Sequence, residues 1–138
     1  MKKIISVLLT CVLLVGCMFT LASCGGPNAD PDKALEALKS NEYTAAEDKY
    51  VIPGILTLAG VKDLDTVISG TKVDKENDDK VEHVTVIYFE DADAATDAWD
   101  KVKEYAEDDK DEEDTDWVIN KSGAMIYWGT KAGVAAAG

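Results

Sequence analysis

The sequence predicts an α+β fold: an antiparallel sheet of about four strands with helices packed on it, preceded by an N-terminal helix. Three observations support this prediction. Strand signals occur in two neighbouring groups, the strongest amphipathic segment lies between those groups, and short polar connections join the strands within each group. Strands joined by short turns pair antiparallel, because a parallel pair needs a long crossover. The strand–strand–helix–strand–strand order therefore favours helices packed on an antiparallel sheet.

The N-terminal helix is predicted to begin at Asp30 and Pro31, since an acidic residue caps a helix and proline suits its first turn. Alanine and leucine recur at helical spacing over residues 34–38, and residues 39–41 end the helix. Residues 43–50 are then predicted as a short strand or extended piece. The apolar run that follows contains a Pro-Gly pair, and we expect at most a short helix there, over residues 53–59.

The first pair of strands is predicted over residues 64–73 and 83–90, with a charged loop between them. The second of these, HVTVIYFE, has the strongest strand signal in the chain. Its side chains alternate between two faces that are both largely apolar, so we place it centrally and expect both faces to be covered. One face carries Val84, Val86 and Tyr88, and the other carries His83, Thr85, Ile87 and Phe89.

The best helix signal begins at Asp91 and extends over residues 91–109. Residues three or four positions apart form a predicted apolar stripe. This stripe consists of Ala92, Ala95, Trp99, Val102 and Ala106.

The C-terminal segment predicts a hairpin and a last helix. DWVIN, residues 116–120, and AMIYWG, residues 124–129, flank a KSG turn in which Gly123 can adopt positive φ. Thr130 is predicted to cap a helix that runs through the terminal alanines.

Composition argues against several classes of function. The 138 residues include 27 acidic and 14 basic side chains, all of the latter lysines, which gives a net charge of −13. This charge opposes binding to nucleic acid, where affinity rests on neutralising phosphates, and it opposes direct adsorption to anionic lipid. Nucleotide-binding glycine loops and histidine clusters do not occur in the sequence. We therefore expect no cofactor and no nucleic-acid partner.

The N-terminus has the layout of a secretory signal. Two lysines precede an uncharged run over residues 4–21. A membrane-spanning helix needs about 20 apolar residues, so an uncleaved helical anchor remains an alternative. Leu21, Ala22, Ser23 and Cys24 end the run, and cysteine at this border offers the strongest nucleophile available near neutral pH.

These four residues resemble the lipobox of bacterial lipoproteins, and the resemblance covers residues 1–24 only. It implies recognition of Leu21, Ala22 and Ser23, cleavage before Cys24, a thioether-linked diacylglycerol on Cys24, and usually a further acyl chain such as palmitate on its freed amine. A rival box ends at Cys17, but processing there would leave an apolar stub on the mature protein. Cleavage before Cys24 removes two lysines and no acid, so the net charge changes from −13 to −15.

The predicted organisation is a signal peptide over residues 1–23, a lipidated cysteine and flexible tether over residues 24–30, and a single acidic domain over residues 31–138. The tether reaches at most roughly 20 Å, at about 3.3 Å per residue. We expect the domain to lie on the extracytoplasmic face of the cell membrane, bound to membrane lipid through Cys24. Cys11 and Cys17 would be removed with the signal peptide. With Cys24 acylated, no thiol remains for a disulfide, a metal site or a nucleophile.

An acidic segment and the single histidine are two further candidate sites. Residues 107–116 contain clustered carboxylates that could bind Ca²⁺, but they lack the EF-hand glycine and spacing, so a solvated acidic loop is the favoured interpretation. His83, the only histidine, is expected at the surface.

The aromatic residues of the strands are candidate ligand or partner contacts. On an open sheet face they could stack on sugar rings or anchor a protein, whereas on a covered face they would be core, which is the favoured interpretation. The candidates are Tyr88, Trp117, Tyr127 and Trp128.

The resulting functional prediction is a non-catalytic surface lipoprotein that binds an envelope protein or a cell-wall partner. No catalytic or metal-binding residue is predicted. A hydrolase that uses paired carboxylates and a cation-binding module are the alternatives.

Overall fold

A computed structural model describes residues 26–75, 80–110 and 116–138. The elements, in chain order, are α1 (Pro31–Ser40), β1 (Thr44–Glu47), α2 (Val51–Leu58), β2 (Leu64–Asp74), β3 (Lys80–Phe89), α3 (Ala92–Asp109), β4 (Trp117–Ser122), β5 (Met125–Thr130) and α4 (Lys131–Ala136). The predicted α+β fold is confirmed. The sheet has five strands rather than about four, because the short β1 pairs with β2 as an edge strand.

All neighbouring strands in the sheet are antiparallel, in the order β1-β2-β3-β5-β4. The strand predicted to be central, β3, is the middle strand. It begins at Lys80, earlier than predicted, because the charged residues before His83 continue the ladder with β2, where Val81 lies opposite Val73.

Helices cover both faces of the sheet, as the two apolar faces of β3 predicted. Helices α2 and α3 pack on one face, and α1 and α4 pack on the other. The α2/α3 face contains Leu56, Ile87, Phe89, Val102, Ile126 and Trp128. The α1/α4 face contains Leu38, Val84, Val86, Tyr88, Tyr127 and Val134.

Helix α3 begins at the predicted place, since the Asp91 side chain accepts a hydrogen bond from the backbone N–H of Ala94 at 2.8 Å. Its buried stripe is displaced from the predicted one: Ala92 is exposed and Trp99 is only partly buried. An indole is too bulky for the close helix–sheet contact that alanine permits, and it stays at the margin. The buried residues are Ala94, Ala95, Ala98, Val102 and Ala106.

The predicted caps of the first and last helices are confirmed. The Asp30 side chain accepts from the N–H of Asp32 at 3.0 Å, and the Thr130 hydroxyl accepts from the N–H of Gly133 at 3.2 Å. Helix α2 begins two residues before its predicted start, because Asp48 provides a cap that the sequence reading did not include. Its carboxylate accepts from three successive backbone N–H groups, those of residues 50–52.

Candidate functional site

Residues 26–30, predicted as part of a flexible tether, lie against the domain in the structure. We call this segment the strap. The backbone N–H of Asn28 donates to the carbonyl oxygen of Ala137 at 2.8 Å, and the Tyr88 hydroxyl donates to the carbonyl oxygen of Asn28 at 2.7 Å. Gly26 and Pro27 are buried. The groups that bind the strap are distant in sequence. The local sequence, with glycine and proline, does not reveal them and therefore predicted a flexible tether.

The first described residue, Gly26, sits directly over the Tyr127 ring. A Cβ atom at this position would come within 2.6 Å of the ring, and the backbone has φ +135°, a conformation that favours glycine. A side chain here would require both a shift of the tyrosine and a strained backbone. The chain therefore enters the domain at a defined place beside Tyr127.

The buried tyrosines that contact the strap keep their hydroxyl protons. Burial raises the pKa of Tyr88, and the negative charge of Asp30 raises it further. Burial also raises the pKa of Tyr127, against the opposing effect of a hydrogen bond with Asn120. Tyr88 consequently remains a hydrogen-bond donor to the strap at neutral pH.

A cleft of about 650 Å³ lies between the strap, the adjacent ends of β2 and β3, and the β4–β5 turn. We call it the strap cleft. Its volume falls within the range of roughly 300–1,000 Å³ typical of small-ligand sites. Apolar residues make most of its wall, and among the described lining residues the ionisable side chains are Asp65 and Tyr88. This wall suits an apolar or amphipathic ligand. Its apolar members include Pro27, Pro31, Phe89, Ala124 and Met125.

The four predicted aromatic contacts do not form one surface. Trp128 is 1% exposed and meets Tyr105 of α3 edge-on, with ring centroids 6.0 Å apart. Tyr127 is buried on the opposite face, and Tyr88 is buried where the strap cleft begins. Trp117 is partly buried, with the Lys110 ammonium 5.4 Å from its ring centroid. Core packing therefore accounts for Tyr88, Tyr127 and Trp128, and Trp117 is the most accessible of the four.

Other predicted site residues lie partly or wholly outside the described chain. Leu21, Ala22, Ser23 and Cys24 precede its first residue. Of the acidic segment 107–116, residues 111–115 are also outside it.

At the end of that acidic segment, Asp116 is paired with a lysine. The Asp116 carboxylate lies 3.1 Å from the Lys80 ammonium, which also approaches the buried Glu82 at 3.5 Å. The hydrogen bond that the Lys80 ammonium donates to the Asp116 carboxylate is the largest of the effects that raise the pKa of Lys80. This cluster is an ion-pair network at the end of the sheet remote from the strap cleft.

Helix α2 carries an exposed apolar stripe that the sequence reading did not identify as a surface. Val51, Ile55 and Leu58 recur at helical spacing, and Leu58 is 91% exposed. Tyr50, immediately before the helix, is 83% exposed. The signal for this stripe is the uncharged run VIPGILTLAGV, residues 51–61, in a chain of which 30% is charged.

Within the described ranges, no group of three or more His, Cys, Asp or Glu side chains is arranged to hold a metal ion. None of the helices α1 to α4 has the length and apolar character that crossing a membrane requires.

Comparisons with protein-family models, with curated proteins and with solved structures find no match for this chain.

Proposed function

We propose that this protein is a lipid-anchored binding module of a bacterial cell envelope, held through Cys24 on the extracytoplasmic face of the cell membrane. The observation that carries the proposal is the sequence Leu-Ala-Ser-Cys, residues 21–24, at the end of a basic and then apolar leader. Two or three acyl chains hold a protein durably, because each buried CH₂ contributes about 0.8 kcal/mol and a single chain gives only reversible binding.

The binding role is supported by the strap cleft and by the exposed stripe of α2. The cleft has the volume and apolar wall of a ligand site, and the stripe exposes large apolar side chains of the kind found at protein interfaces. An envelope protein or a cell-wall component is the partner class that the extracytoplasmic location makes accessible.

Metabolic labelling with palmitate tests the anchor. Wild-type protein should incorporate the label and sediment with membranes, whereas Cys24→Ser should do neither. Cys17→Ser is the matched control and should label normally. Loss of labelling in Cys17→Ser with retention in Cys24→Ser would overturn the assignment of Cys24.

Binding is tested by crosslinking the anchored protein in cells and identifying the products by mass spectrometry. Leu58→Glu should remove any product that depends on the α2 stripe, because it replaces the most exposed apolar side chain of that stripe by a charge. The exposed Glu36→Gln on α1 serves as control. Absence of a specific crosslinked product in wild-type cells would count against a binding module.

A further inference from the structure

Acidic residues are distributed very unevenly along this chain. All 27 of them lie at or before Asp116, and residues 117–138 contain two lysines and no acid. In the fold this last stretch forms β4, β5 and α4, and the two strands lie side by side at one edge of the sheet. The elements β4, β5 and α4 thus carry no acidic side chain, in a protein with a net charge of −13.

The strap begins beside these C-terminal elements. Gly26 lies over Tyr127 and borders a shallow depression together with residues of β4 and α4. We call this depression the strap-exit surface. Its described lining contains one charged residue, Lys131, which is exposed. Its other members include Val118, Asn120, Val134 and Ala135.

The length of chain before Gly26 limits how far this surface can lie from the membrane. Cys24 is two residues before Gly26, and two residues span at most roughly 7 Å. The bonds from Asn28 to Ala137 and Tyr88 hold the strap against the domain, so residues 26–30 do not lengthen that reach. Lipid attached at Cys24 would therefore lie next to the strap-exit surface.

We propose that the strap-exit surface is the face that this domain turns toward the lipid. This inference rests on the proposed lipidation of Cys24. Lys131, the one charged residue of the described lining, then lies where anionic headgroups attract a cation. The docked strap holds the domain in one orientation, which a flexible tether would not do.

The apolar stripe of α2 is the competing lipid-contact surface, and its position argues against it. Leu56 of α2 packs in the core on the α2/α3 face of the sheet, whereas Gly26 contacts Tyr127 on the α1/α4 face. Gly26 and helix α2 therefore lie on opposite faces of the sheet. Because Cys24 is only two residues before Gly26, lipid attached to Cys24 should contact the α1/α4 face rather than the α2 stripe.

Fluorescence quenching by spin-labelled lipid tests the orientation. The palmitate-labelled protein is reconstituted in vesicles of phosphatidylcholine and phosphatidylglycerol, with a fluorophore on a single introduced cysteine. Ala135→Cys reports on the strap-exit surface, and Leu58→Cys and Val73→Cys are exposed control positions on α2 and on β2. The fluorophore at residue 135 should be quenched most. Equal quenching at all three positions, or greatest quenching at Leu58→Cys, would overturn the proposal.

Three further variants test the orientation of the domain separately from lipid attachment. A Gly-Ser insertion as long as the strap itself, placed between Gly25 and Gly26, should abolish the difference among the three positions while palmitate labelling persists. Lys131→Glu should reduce quenching at residue 135, and Lys75→Glu, at the end of β2, should not. Because quenching is measured on protein that has incorporated palmitate, failure of the anchor appears in labelling, and failure of the orientation appears in quenching alone.

Discussion

The Tyr88 hydroxyl donates a hydrogen bond to the backbone carbonyl of Asn28 across 2.7 Å, and so joins the central strand to the strap. Tyr88 is 5% exposed, so its hydroxyl would be an unpaired buried donor without this carbonyl. The same residue borders the strap cleft. Tyr88 therefore contributes both to docking of the strap and to the wall of the cleft.

Replacing Tyr88 by phenylalanine should loosen the strap without unfolding the domain. The variant loses one buried hydrogen bond, which is worth about 1 kcal/mol, and leaves the Asn28 carbonyl without its donor. Hydrogen exchange of the Asn28 amide, which donates to Ala137, should become faster than in the wild type. Tyr50→Phe, at an exposed tyrosine, should leave that exchange rate unchanged. Unaltered protection of Asn28 in Tyr88→Phe would show that the strap is held by other contacts.

Glycine is required at position 129, within β5, because of its backbone conformation and the close approach of the neighbouring strand. Its φ is +146°, and an added Cβ atom would collide with the backbone carbonyl of His83. Gly129→Ala should therefore lower the free energy of unfolding by about 2–4 kcal/mol, measured by urea denaturation. Gly54→Ala is the matched control, because that site in α2 has no neighbour within 4 Å and alanine favours a helix. Equal stability of the two variants would contradict the close strand contact.

The cap at Asp48 should make the stability of α2 depend on pH. Burial alone would raise the pKa of Asp48, but the N–H groups of residues 50–52 favour the carboxylate, and the pKa lies below its usual value. The stabilisation is therefore fully present above the unfolded-state pKa of about 3.9, and it is lost as pH falls through the lower folded-state pKa.

Asp48→Ala should accordingly cost about 1 kcal/mol of unfolding free energy at pH 7. The difference from wild type should narrow once the pH is below the folded-state pKa. Urea denaturation at a series of pH values measures both effects, with the exposed Glu36→Ala on α1 as control. A difference that stays constant down to the lowest pH would exclude a charge-dependent cap.

Replacement by phenylalanine should change the free energy of unfolding more at Trp128 than at Trp117. Trp128 is fully buried, so Trp128→Phe leaves a cavity and should lower the unfolding free energy by about 1–3 kcal/mol. The indole N–H of Trp117 is buried and has no hydrogen-bond partner among the described residues. Trp117→Phe removes that unsatisfied donor and should be close to neutral, because its desolvation cost disappears. Thermal denaturation distinguishes the two, and a larger loss in Trp117→Phe would contradict the assignment of Trp128 to the core.

Features that depend on neighbouring residues were predicted well. The caps at Asp30, Asp91 and Thr130 were recognised, because each involves a side chain and a backbone N–H two or three residues away. The two apolar faces of β3 followed from alternation along a single strand. The cap at Asp48 was missed, since a Pro-Gly pair inside α2 obscured the start of the helix.

The candidate site was less accessible to sequence reasoning. The predicted aromatic set contained residues that the fold distributes over both faces of the sheet, and three of the four are buried. Asp65, Ser122 and Met125 were not identified, although they line the strap cleft. They come from three separate strands, so no local pattern connects them.

The sequence by itself determined the order of the elements, the caps of three helices and the lipobox-like leader, because each depends on residues within a few positions of one another. Only the tertiary structure decided that residues 26–30 are docked, since Asn28 is bound by Tyr88 and Ala137, which lie far along the chain. It also decided that the stretch 117–138, which has no acidic side chain, lies beside Gly26 of the strap. Pairing of β5 with β3 and packing of α4 on the sheet produce that proximity, and both are contacts between distant segments.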